Sequence, residues 1–168
     1  DQDVFPLWFE KVSRALSLIE EAQPWVYQRI GTDVERIFID HIRGPMFYPP
    51  GRVVWLNGPN LHNAEVESVA GTLVHEATHA RIWTNRIRYS RDNRARHEIA
   101  CVKAEIRLAV RLGRTDLAER AEARLDDPWW SDEALRKRAL SEFDQVGLDG
   151  LVGRFLRRRV ERSYPPPD

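Results

Sequence analysis

The sequence predicts an α+β domain, mostly helical, with a small sheet built early in the chain. Two short runs rich in β-branched and aromatic residues, VERIFIDHI (34–42) and RVVWLN (52–57), lie in its first third. Long stretches with apolar residues at i, i+3, i+4 and i+7 fill the rest. The strands come before the long helices and do not alternate with them, which argues against a parallel βα fold. At 168 residues the chain is long enough for one domain with a real core, expected to span residues 1–168.

The elements follow in order. FPLWFEKVSRALSLIEEA (5–22) is an amphipathic helix with Leu7, Val12, Leu16 and Ile19 near helical spacing, interrupted by Pro24. After the strand 34–42, RGPMFYPPG (43–51) carries three prolines and two glycines and reads as a loop. The strand 52–57 ends at Asn57-Gly58-Pro59. Asn63 is placed to cap a long helix, 64–86, whose buried stripe is Val66, Val69, Ala70, Leu73, Val74 and Ala77. RIRYSRDN breaks the pattern as a loop, and a second long helix runs over 93–112 to Gly113. TDLAERAEARL is a third helix with Thr115 as cap. Asp127-Pro128 opens a helix through about 146, a last one covers 149–162, and 165–168 form a frayed tail.

Composition excludes several classes of function. A hydrophobic fraction of 42 % with six Trp is globular, not disordered. The 26 basic and 26 acidic residues cancel, so nucleic acid is not expected as the main partner, although a local basic patch stays open; RFLRRRVER (154–162) reads as a solvated helix face, with contact to an acidic partner or a membrane surface as the alternative. Cys101 is the single cysteine, which rules out an internal disulfide and cysteine-rich zinc sites. No run of 18 apolar residues and no signal peptide stand out. The compartment is left unknown; the expectation is a soluble chain, the cytoplasm slightly favoured. Because it begins at Asp1, a removed leader or anchor is also left open.

Within the long helix 64–86 lies His75-Glu76-Ala77-Thr78-His79, the pattern HExxH. Residues four apart share one helix face, so His75 and His79 can aim nitrogens at one metal ion. Glu76, one step round the helix, is badly placed as a ligand but can reach a water on that ion. Zinc would acidify the water and the carboxylate would take its proton. A catalytic site needs a third protein ligand, and Asp92, His97 and Glu98 are the candidates. Periodicity favours Glu98. It shares a stripe with Cys101, Val102, Glu105, Leu108, Ala109 and Leu112, which is apolar or small apart from its two acids. Arg96, Lys103, Arg107, Arg111 and Arg114 form a separate, solvated stripe. A carboxylate on a buried stripe is costly unless it binds a metal or is paired. Glu98 as ligand and Glu105 as acceptor for a ligand histidine N–H would account for both acids, and an internal salt bridge to an arginine is the plainer alternative.

These residues resemble the gluzincin group of zinc metallopeptidases, which have HExxH on one helix and a ligand Glu on a following helix. Eighteen residues separate His79 from Glu98, a spacing used by aminopeptidase members. The resemblance covers about a third of the chain. It implies a zincin-like fold, a Zn²⁺ cofactor and a peptide or protein substrate, with His75, His79 and Glu98 as ligands and Glu76 as general base. It also implies a sheet-edge strand that pairs with extended substrate, here RVVWLN with Val53, Trp55 and Asn57, and a tyrosine at the oxyanion, here Tyr89. Many members orient the first histidine with an Asp four residues after the ligand Glu. That position is Val102, so Glu105 or Asp40 would have to substitute. The rival expectation is a zincin-fold interaction or sensor module with a structural or vestigial metal site.

Overall fold

A computed structural model describes residues 4–41, 44–126 and 129–146. The chain falls into two compact units, Asp1–Leu125 and Asp126–Asp168.

In the first unit, Pro24 divides the opening helical stretch instead of merely ending it. The residue before a proline is pushed out of the helical region, and Gln23 sits at φ −146° and ψ 70°. Helix α1 (Val4–Ala22) therefore stops, and α2 (Pro24–Asp33) restarts on the proline, whose fixed φ suits a first turn. The core face of α1 is Trp8, Val12, Ala15 and Ile19. Leu7, expected on that face, is 54 % exposed, because the larger Trp8 next to it takes the buried position.

Strands β1 (Arg36–Asp40), β2 (Met46–Tyr48) and β3 (Val53–Asn57) form one sheet in the order β1-β3-β2, with β1 parallel and β2 antiparallel to β3. β2 lies inside the segment expected as a loop. Met46-Phe47-Tyr48 are good strand formers, and Pro45 and Pro49 flank an edge strand without breaking a ladder. A 3₁₀ turn, Pro49–Gly51, leads to Arg52 in the left-handed region at φ 47°. Arg52 donates from its backbone to Pro49 O (3.1 Å) and from its side chain to Thr32 O (3.1 Å). Val54 and Leu56, with Ile37, Ile39 and Phe47, turn toward the helices.

Asn57 caps the short α3 (Gly58–Asn63) by accepting from Asn60 N at 2.7 Å. A Cβ on Gly58 would lie 2.5 Å from Cζ3 of Trp8, an indole packed in the core. Gly58→Ala is therefore expected to destabilise the fold by about 1–3 kcal/mol, as overpacked sites do. A thermal melt that matches the parent would contradict this.

Helix α4 (Val66–Thr84) follows Glu65; Asn63, expected as its cap, is instead the last residue of α3. α4 packs against α1, α2 and α5 (Arg94–Arg111), and Val69, Ala70, Leu73, Val74 and Ala77 are buried as the stripe requires. Gly113 at φ 70° ends the turn after α5. Arg114 is not a solvated cation as expected. It binds Asp116 (2.9 Å), Glu65 (2.5 Å) and Glu67 (3.3 Å), joining the start of α4 to the start of α6 (Thr115–Asp126).

The second unit contains α7 (Asp132–Val146), which begins later than expected after Pro128; Ser131 Oγ accepts from Ala134 N at 3.1 Å. Trp130 is buried beside the exposed Trp129. The cap at Asp127-Pro128, the helix 149–162 and the tail lie outside the described residues. No described helix is long and apolar enough to cross a membrane.

Candidate metal centre

The nine residues 85–93 between α4 and α5 bring α5 back along α4, so the acidic stripe of one meets the histidine face of the other. The turn is built by Asn93, which donates to Arg88 O (2.7 Å) and accepts from Ser90 N (2.8 Å). Tyr89 is held between those two points, and its hydroxyl donates to Glu98 Oε1 at 2.8 Å.

Glu98 Oε2 lies 3.4 Å from His75 Nε2 and 3.6 Å from His79 Nε2. Glu98 is 2 % exposed, and Oε2 has no hydrogen-bond partner among the described residues. A buried carboxylate oxygen without a partner is costly and needs a reason. A tetrahedral zinc with N and O ligands at about 2.0–2.2 Å puts its donors about 3.3–3.6 Å apart. Glu98 Oε2 therefore stands at donor-set distance from each of the two histidine nitrogens, as one shared ion would require.

Behind this group, His75 Nδ1 bonds Glu105 Oε1 at 2.5 Å, and Arg124 on α6 donates to Glu105 Oε2. A carboxylate on Nδ1 keeps the proton there and leaves Nε2 free to ligate. Asp40, the other candidate for this task, accepts from His41 N at 2.7 Å and belongs to the sheet. Periodicity could not reveal Arg124, because its partner lies on another helix. Glu105→Gln is expected to weaken metal binding about 10- to 100-fold, the usual effect of losing such a partner. Competition with a chelator measures it, and unchanged affinity would remove Glu105 from the site.

Burial pushes the Glu98 carboxyl up, but the close His75 and His79 rings and the Tyr89 hydroxyl outweigh that and hold it well below the usual range. Burial would lower His75; the hydrogen bond to Glu105, the close Glu98 carboxylate and the charge of Glu76 instead raise it to about 9. Glu76 is 5 % exposed, and burial raises its carboxyl despite the nearby histidines. Among the described residues it has no hydrogen-bond partner.

A second donor grouping shares the same histidines. Cys101 Sγ and one ring nitrogen each of His75 and His79 lie within 4.8 Å of one another, so this group can hold a metal ion. Burial and the charges of Glu98, Glu76 and Glu105 push the thiol up. Asp92 is exposed. His97 is buried, with its ring 5.4 Å from Tyr89 and 6.5 Å from His79, and its Nε2 has no partner among the described residues.

One expected site feature changes. RVVWLN is not a sheet edge: β3 is the central strand, paired by β1 on one side and β2 on the other. Over Val53–Trp55 its backbone is paired on both sides. Val53 is buried, Trp55 stacks on Phe38 at 5.0 Å, and Asn57 caps α3. The reason is β2, hidden in the proline-rich segment, which takes the edge. Tyr89, expected at the oxyanion, donates its hydroxyl to Glu98.

Compared with protein-family models, curated proteins and solved structures, the chain matches none.

Proposed function

We propose that this chain is a minimal gluzincin-like zinc metallopeptidase, with a zincin-like arrangement of α4, α5 and the sheet. The observation that carries the reading is Glu98 Oε2, buried and unpartnered at 3.4 and 3.6 Å from the Nε2 atoms of the HExxH histidines. His75, His79 and Glu98 would hold the ion. Bound zinc would supply a Lewis acid that polarises a peptide carbonyl and acidifies water.

The chain's own residues do the rest. Glu76 takes the proton of the attacking water on its carboxylate and hands it to the leaving nitrogen. Glu105, braced by Arg124, fixes the His75 ring and its tautomer. Tyr89 holds Glu98 by its outer oxygen. The edge strand β2, which packs against α4, offers backbone groups to an extended peptide. Retention of Glu76 favours an enzyme over a purely structural site, which has no use for a base.

The protein purified from zinc-supplemented medium is expected to carry about one zinc per chain, as a single three-ligand site requires. His75→Ala and His79→Ala should each lose it. Elemental analysis that finds no zinc in the parent would sink the assignment.

A further inference from the structure

The metal group contains one more donor than a catalytic site uses. Cys101 follows Glu98 by one turn on the same face of α5, is fully buried, and has no hydrogen-bond partner among the described residues. Its Sγ lies within 4.8 Å of a ring nitrogen of both His75 and His79. The unpartnered Glu98 Oε2, 3.4 and 3.6 Å from the same two histidines, independently points to a cation beside them.

We propose that Cys101 is a fourth ligand to the ion of this site, and that its thiolate closes the coordination shell into a latent form that excludes the water needed for hydrolysis. Zinc sites with four protein donors are closed, whereas catalytic ones keep a position open. A zinc-bound sulfur and nitrogen lie about 3.6 Å apart, so bringing Sγ from within 4.8 Å of the two histidine nitrogens to bonding geometry needs a movement of roughly one ångström at those contacts. Ligation breaks the S–H bond, forms a sulfur–metal bond and releases the proton to solvent; no electron is transferred. A soft thiolate donor also biases the site toward zinc or cobalt and away from magnesium and calcium. The inference rests on the metal reading above and adds a regulatory state to it.

The test is to load the metal-free full chain with cobalt(II) in the absence of oxygen and record its absorption. The parent is expected to bind about one cobalt per chain and to show a sulfur-to-cobalt charge-transfer band in the near ultraviolet. Cys101→Ser, nearly isosteric, should bind cobalt without that band, and its zinc form should cleave a peptide library faster than the parent. If the parent binds cobalt through His75 and His79 but shows no band, Cys101 is not a ligand and the open metal site stands alone. If the band is present but Cys101→Ser cleaves no faster, the latency is overturned. If no cobalt binds, the metal reading falls, and this inference with it. The band is read in the unaltered chain, so poor folding of the variant does not remove the test.

Discussion

Glu76→Gln is expected to hold zinc like the parent and to lose hydrolysis by about 100- to 10,000-fold, the range of a general base. Glu76 follows His75 on α4, is buried, and accepts from no hydrogen-bond donor among the described residues. Its oxygens are therefore not committed to holding the fold. Burial raises its carboxyl above the usual range, which makes it a better proton acceptor once ionised. Glutamine keeps the size and the polarity and cannot take a proton. The comparison needs metal content and peptide cleavage on the same samples, with a broad library read by mass spectrometry. Cleavage by the parent that persists at full rate in Glu76→Gln would put the chemistry elsewhere and leave HExxH as a metal clip.

Glu98→Ala is expected to lose the metal. Zinc binding to protein sites of about 10–16 kcal/mol, shared among three or four ligands, assigns one ligand about 3–5 kcal/mol. That is roughly a hundredfold to several thousandfold in affinity. His97→Ala and Asp92→Ala should keep the ion. A second readout separates a ligand from a structural ion pair. Without metal, His75, His79 and the Tyr89 hydroxyl hold the Glu98 carboxyl well below its usual range, so removing it costs the metal-free chain that stabilisation. Tyr89, 47 % exposed, can turn its freed hydroxyl to water. Metal-free Glu98→Ala should therefore melt lower than the metal-free parent and still unfold in one cooperative transition. A variant that binds zinc as tightly as the parent would refute Glu98 as a ligand. One that loses zinc only because it is unfolded would mean that Glu98 chiefly stabilises the core.

The sequence by itself determined the local and periodic features. The α4 and α5 stripes were legible because burial of one face repeats at helical spacing: Val69 to Ala77 and Glu98 to Ala109 are buried where the pattern puts them. Both strands were legible from their β-branched composition, and the acids on an apolar stripe singled out Glu98 and Glu105 before any contact was visible. Tertiary structure alone decided what each of these meets. The phase of α1 depended on which neighbour, Leu7 or Trp8, could fill the space beside Gly58. The place of β3 in the sheet depended on β2, a three-residue strand disguised by flanking prolines. Arg124 joins the site from α6, and Cys101 came within reach of both histidines only when α5 folded back on α4. Periodicity reports which face of an element is buried, because that depends on residues close in the chain. It carries no record of which distant side chain lies across the gap, and a metal centre is made of such pairs.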